Sequence, residues 1–261
     1  MKYFLFVIMM MVTASLAEAK RTKLIAHRGG VVEGGRTENS KRALQAAIDR
    51  GYYMVEVDVR ETKDGLAIAH HDADFRQDYG VDQRVAEMNW NEIKKLRASD
   101  GSRPLLFSEY AAFCRGKIRV MLDIKPPGHS EGFYEAIEAV LREHALLDEA
   151  MIIGTSESRQ WFLGKVRVGT DRNALRVAAK EDKDVAAKYM LFDRGRSLDE
   201  TTFQWARSLR VPVVPAINEF HYADLENHVP AAKADVERLR HAGVEFFQID
   251  SIYDIWLRVE E

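Results

Sequence analysis

One cysteine, Cys114, is too few for a disulfide within the chain or for a thiolate metal cluster. It follows Tyr110, Ala111, Ala112 and Phe113 in helical text, where a small buried hydrophobe is expected rather than a nucleophile. Charge of one sign is lacking too. With 38 Lys and Arg against 41 Asp and Glu, the formal net charge is -3, which gives no global attraction for nucleic acid or an anionic membrane. Attraction for an anionic substrate must therefore be local. The sequence shows no linker, low-complexity segment or close internal repeat, and no amphipathic membrane anchor stands out.

The longest apolar run is confined to the start. It follows Met1 and Lys2 and ends in Ala17-Glu18-Ala19, so a positive start, about ten apolar residues and a small-x-small ending read as a secretory signal cleaved before Lys20. The run is too short to span a bilayer comfortably, and no cysteine follows it to carry a lipid. The expectation is a signal peptide over residues 1–19 and one domain over 20–261, in a periplasmic or secreted protein without a stable membrane anchor.

What is present is organised around Val55-Glu56-Val57-Asp58-Val59. Apolar residues alternate with carboxylates, the period of a strand with one greasy face and one acidic face. Paired acids on a buried face repel one another and lose hydration; a divalent cation between them removes that cost, and a wet strand face avoids it. Upstream, Leu24-Ile25-Ala26 runs into His27-Arg28-Gly29-Gly30, a strand followed by a glycine-rich polar loop, and Asn39 or Ser40 can cap the helix that comes next. Strand, helix, strand makes the two strands parallel and puts His27 and Asp58 at one rim. Thr62-Lys63-Asp64-Gly65 signals a hairpin that returns His70, His71 and Asp72 toward the same place, before a polar excursion from Ala73 onward.

The strand at Val120 repeats the pattern, with Val120, Leu122 and Ile124 on one face and Met121, Asp123 and Lys125 on the other. Further apolar segments alternate with helical text, giving strands centred on Leu24, Val55, Val120, Ile152, Val166, Leu191, Val213 and Phe247. Eight strand and helix units predict an α/β fold, a closed (β/α)8 TIM barrel in one domain with a small excursion between strands two and three; an open doubly wound sheet is the alternative. In a barrel the strand ends bring together His27, Arg28, Glu56, Asp58, His71, Asp123 and Lys125. Three carboxylates suit a hard cation, Ca²⁺ or Mg²⁺, better than zinc. Arg28 and Lys125 suit a phosphate beside it, and histidines on either side suit acid and base work at phosphorus.

These residues carry a resemblance. His27-Arg28-Gly29, Glu38-Asn39-Ser40, Glu56-Val57-Asp58-Val59, Thr62-Lys63-Asp64-Gly65, His71-Asp72 and Leu122-Asp123-Ile124-Lys125, in this order, resemble the signature of the glycerophosphodiester phosphodiesterase family. The resemblance implies a barrel that hydrolyses a small-molecule phosphodiester with a divalent metal, giving glycerol 3-phosphate and an alcohol through a cyclic phosphate. It implies His27 and His71 as the acid and base pair, Glu56, Asp58 and Asp123 as metal ligands, and Arg28 and Lys125 as substrate contacts. His71 is preferred to His70 because His-Asp is the family pairing, with His70 as the alternative. Thr37 stands where the family commonly has proline, and Asp123 where glutamate is common. Ala216-Ile217-Asn218-Glu219-Phe220-His221 replaces an aromatic motif, which leaves the alcohol open. Lysophospholipid, phosphoinositide or sugar phosphodiesters are alternative substrates, and a non-catalytic exported phosphodiester-binding protein is the alternative from another class. Gln248 and Asp250 after the eighth strand are expected to be structural, with contact to the substrate as the alternative. The sequence does not set the oligomeric state.

Overall fold

The structure is a computed structural model that describes residues 22–258. The expected signal peptide, residues 1–19, lies outside them. Twelve strands run in order: β1 Lys23–Ala26, β2 Met54–Glu61, β3 Ala67–Ala69, β4 Asp74–Phe75, β5 Val81–Arg84, β6 Leu105–Leu106, β7 Arg119–Ile124, β8 Met151–Ile152, β9 Arg167–Thr170, β10 Tyr189–Arg194, β11 Val213–Ile217 and β12 Phe246–Ile249. β1, β2, β7, β8, β9, β10, β11 and β12 pair in parallel in that order, and β12 pairs with β1. The sheet therefore closes on itself, which settles the choice between barrel and open sheet.

Strand alternation decides what goes inside. Ile25, Met54, Met121, Met151, Met190 and Val214 form a plug within the barrel. Thioether side chains are flexible enough to fill so irregular a space. The intervening residues, among them Val55, Val57, Val59, Val120, Leu122 and Ile124, join the larger cluster between sheet and helices. By the same period Glu56 and Asp58 on β2, and Asp123 and Lys125 at the end of β7, share the inner face with Met54 and Met121.

Side-chain caps fix several helix starts on the outer layer. Ser40, Ser130, Thr155, Asp171 and Asp199 each accept from backbone N–H groups of the first turn that follows them. The helix after β1 is thus capped by Ser40, which leaves Asn39 for other work. Cys114 ends the helix Phe107–Cys114 fully buried, and burial pushes its thiol up to about 12, as an inert core residue requires. Among the described residues no helix is long and apolar enough to cross a membrane.

The excursion between β2 and β7 is more ordered than its text suggests. β3 returns antiparallel along the end of β2, and β4 and β5 form a small hairpin around the helical turn Arg76–Tyr79. Ile68, Phe75, Val85, Met88 and Ile93 give it a core of its own. β4 and β5, of two and four residues in polar text, are too short to show a period, which hides them from pattern reading.

Candidate active site

The carboxyl rim gathers His27, Arg28, Glu56, Asp58, His71, Asp123 and Lys125. Gly29 and Gly30 shape the first loop, with φ of +73° and +139°; a Cβ on Gly29 would lie 2.4 Å from Asn39 Cα, and one on Gly30 2.2 Å from the Ala43 carbonyl oxygen. Only glycine allows that approach. The loop then turns its amides inward: Arg28 N–H donates to Glu56 Oε2 at 2.8 Å, and Gly29 N–H to the Glu56 carbonyl at 2.7 Å.

Glu56, Asp58 and Asp123 each present an oxygen within 4.8 Å of the others. Lys125 Nζ donates to Asp58 Oδ1 at 2.8 Å and pairs with Asp123 Oδ2 at 3.0 Å. Asn39, at φ +52°, donates through Nδ2 to Asp58 Oδ2 at 2.9 Å and accepts the Asp58 N–H on Oδ1 at 3.1 Å. The three acids respond differently. Burial raises Glu56 well above the ordinary carboxyl range, helped by repulsion from Asp58 and Asp123. Burial also pushes on Asp58, but Lys125, His71 and Asn39 outweigh it and hold that carboxylate low. Asp123 is raised by burial, with Lys125 opposing and Asp58 reinforcing. One ammonium therefore serves three acids, and Glu56 is the one left short of positive charge. An all-oxygen donor set with a residual negative charge fits a hard divalent cation.

The histidines have parallel surroundings. His27 Nδ1 lies 2.6 Å from Asp250 Oδ1, and Asp250 Oδ2 accepts the Glu219 N–H at 2.6 Å. Burial raises Asp250, but its bond to His27 outweighs that and keeps the carboxylate ionised. An ionised carboxylate only accepts, so His27 carries its proton on Nδ1 and keeps Nε2 for a ligand. His71 Nδ1 lies 2.7 Å from Asp72 Oδ1 and stays half-exposed. His70 is different: it is buried, stacked 4.7 Å from Phe75, and its Nε2 meets the Asp74 carbonyl at 2.8 Å. It belongs to the excursion's core, whereas His71 lies close enough to lower both Asp58 and Asp123.

Arg28 Nη1 is bonded to Glu38 Oε2 at 2.6 Å, while its buried Nε has no partner. A cleft of about 160 Å³ beside it is lined by His27, Arg28, Glu38, Phe220, Asp250 and Ile252. Sequence reading missed Asn39 as the clamp on Asp58, and it gave Asp250 a structural role or a substrate contact without linking it to His27, which it holds. For Asp250 the signal was there, an acid directly after the eighth strand.

The rim of the (β/α)8 barrel thus joins an acidic triad, two cations and two carboxylate-paired histidines. The chain belongs to the Glycerophosphoryl diester phosphodiesterase family, which it matches over residues 27–246. Among solved structures, a glycerophosphodiester phosphodiesterase from Agrobacterium tumefaciens superposes with a TM-score of 0.72 at 17% identity, covering 91% of this chain and 100% of that one. An Oleispira antarctica phosphodiesterase, solved with the product sn-glycerol-3-phosphate, gives 0.70 at 18% identity over 92% of this chain and 98% of that one. At such identities the likeness establishes the fold. By sequence, the chain is 28% identical to the Rattus norvegicus lysophospholipase D GDPD1 over 134 residues, 46% of this chain and 42% of that protein. It is 26% identical to the human glycerophosphodiester phosphodiesterase 1 over 133 residues, 47% and 39% of the two chains. The chain thus spans less than half the length of these curated relatives.

Proposed function

We propose that this protein is a metal-dependent phosphodiesterase that hydrolyses glycerophosphodiesters to glycerol 3-phosphate and an alcohol. The observation that carries the reading is the acidic triad, with Lys125 bonded to two of its members and His71 close beside it. The product bound in the Oleispira relative supports the substrate class.

Glu56, Asp58 and Asp123 would hold Ca²⁺ or Mg²⁺. Such an ion, when bound, polarises a phosphoryl oxygen and offsets charge as it develops. Arg28 and Lys125 add positive charge on the phosphate's flanks. His27, with Nδ1–H held by Asp250, has Nε2 free to exchange a proton with one substrate oxygen, and His71 does the same for the other. One histidine removes the proton of the neighbouring glycerol hydroxyl as it attacks phosphorus, and the other protonates the departing alcohol. The roles then reverse as water opens the cyclic phosphate. Each proton transfer contributes about 10²- to 10⁴-fold in rate.

A second reading keeps the chemistry and changes the substrate to a lysophospholipid, whose glycerol unit carries an acyl chain. It is favoured by Phe220 and Ile252, which line the cleft with 55% and 37% of their surface exposed, and by the Phe220 ring 6.1 Å from that of His27. Export to the periplasm or medium is supported by the leader-like text of residues 1–19. The test is a panel of glycerophosphocholine, glycerophosphoethanolamine and lysophosphatidylcholine with Ca²⁺ or Mg²⁺, assayed for glycerol 3-phosphate and for lysophosphatidate. Release from the first two, abolished by EDTA, is expected. Turnover confined to lysophosphatidylcholine selects the second reading, and no turnover of any diester overturns both.

A further inference from the structure

The acids and Lys125 sit on one side of the barrel mouth; β11 and β12 form another part of its wall. Val214 belongs to the plug inside the barrel and Phe246 packs against it, so strand alternation puts Ala216 and Asn218, with Gln248 and Asp250, on the same inner side higher up. Ala216 and Gln248 are register partners. This stretch of wall is therefore a methyl group, two carboxamides and the aspartate that holds His27.

The two carboxamides are tied together and incompletely used. Asn218 Nδ2 donates to Gln248 Oε1 at 3.0 Å, and both residues are 2% exposed. Asn218 Oδ1 is buried with no partner. Whichever way round the amide sits, one of its polar atoms is left over. A buried acceptor without a donor is costly, and so marks a place where something else donates. Asn218 also sits between two residues that hold the His27 system: Asp250 N–H donates to the Ile217 carbonyl at 3.1 Å, and Glu219 N–H donates to Asp250. A group bound at Asn218 is thus one residue from the anchor of His27.

We propose that Asn218, oriented by Gln248, is a specificity-determining residue that accepts a hydrogen bond from the terminal hydroxyl of the substrate's glycerol unit. The assignment rests on the phosphodiesterase reading above. A carboxamide oxygen accepts, so its partner is an O–H or N–H donor, and a glycerol unit whose second hydroxyl attacks phosphorus has one hydroxyl to spare. Gln248 contributes by fixing the amide's orientation, so that recognition does not require ordering a free side chain.

Calorimetric binding tests this without turnover. Glycerol 3-phosphate and its deoxy analogue propane-1,2-diol 1-phosphate, which lacks the terminal hydroxyl, are titrated into wild-type protein, Asn218→Leu and Asn218→Ser. Wild type is expected to prefer glycerol 3-phosphate by about tenfold, equivalent to about 1.4 kcal/mol. Asn218→Leu, similar in shape and without a polar atom, should bring the ratio to near one while binding the deoxy ligand as well as wild type does. Asn218→Ser, which keeps an acceptor, should retain part of the preference. A wild-type ratio below about twofold overturns the proposal whether or not the variants fold, because Oδ1 then serves a water or nothing; equal losses on both ligands in Asn218→Leu also overturn it. If the tenfold preference appears in a protein that turns over no diester, the phosphodiesterase reading fails and the hydroxyl site stands.

Discussion

Thr37 donates both its backbone N–H and its hydroxyl to one carboxylate, that of Asp100, at 3.1 and 2.9 Å. Asp100 also accepts from the backbone and hydroxyl of Ser102, at 2.8 and 2.9 Å. The excursion between β2 and β7 thereby grips the first loop immediately before Glu38, which holds Arg28, and Asn39, which holds Asp58. Proline at position 37 would lack the N–H, so the threonine makes a tie that proline could not make in full.

The first prediction concerns this tie. Burial pushes the Asp100 carboxyl up, but the Ser102 and Thr37 donors outweigh it and hold it at about 2. Asp100→Ala should lower stability by about 1–2 kcal/mol in urea unfolding, since hydrogen bonds to a charged group are removed. Because Glu38 and Asn39 lose their anchor, kcat/KM on glycerophosphocholine should fall severalfold as well. Unchanged kinetics in a folded Asp100→Ala protein would detach the excursion from the site.

A pH effect follows from Asp78 on the same excursion. Burial, followed by the charges of Glu38 and Asp72, raises its carboxyl to about 6. A folded-state value above the unfolded one means the folded protein binds this proton more tightly. Its contribution to stability is therefore full below about pH 4 and is lost as the pH rises through about 6. Asp78→Asn should be more stable than wild type at pH 7, by about 1 kcal/mol after allowing for solvent screening, and equal to it at pH 4. Urea midpoints at the two pH values check the sign.

Glu56 should behave as a site residue that opposes stability when no cation is bound. Its carboxyl is raised by burial and by Asp58 and Asp123. Glu56→Gln removes that strain, so the metal-free variant should melt above the metal-free wild type at neutral pH. The wild type should then gain stability from Ca²⁺ or Mg²⁺, about 2.7 kcal/mol at a hundredfold excess over Kd, and the variant should gain little. Melting curves with EDTA and with each ion read both effects.

Asp250 is a positioning residue for His27. Asp250→Asn keeps the size of the side chain but offers an amide where the imidazole proton was held, favouring the other tautomer. The expected loss is about 10²-fold or more in kcat with KM within a few fold of wild type. A comparable loss in KM instead would mark Asp250 as a substrate contact.

Much of this was legible in the text. Alternation at Val55–Val59 and again at Val120–Ile124 separated the acids from the core, and strand order alone brought His27, Asp58 and Asp123 to one rim. The hairpin signal at Asp64-Gly65 carried His71 back to them. What stayed hidden depended on contacts across long sequence distances. Asn39 and Ser40 both read as helix caps, and only the fold gives that role to Ser40 and Asn39 to Asp58; Asp250 is marked by its place after the eighth strand, but its bond to His27 spans 223 positions. The Thr37 and Asp100 tie joins a loop to an excursion whose strands are too short to show a period.

In the proposed reaction His27 and His71, on either side of the acidic triad, exchange protons with a glycerophosphodiester. Phosphorus NMR of glycerophosphocholine incubated with Ca²⁺ or Mg²⁺ and wild type, His27→Ala or His71→Ala tests it most directly. A growing glycerol 3-phosphate resonance is expected with wild type and none above background with either folded variant. Wild-type rates in both variants, or no product from wild type with any divalent ion, would contradict it.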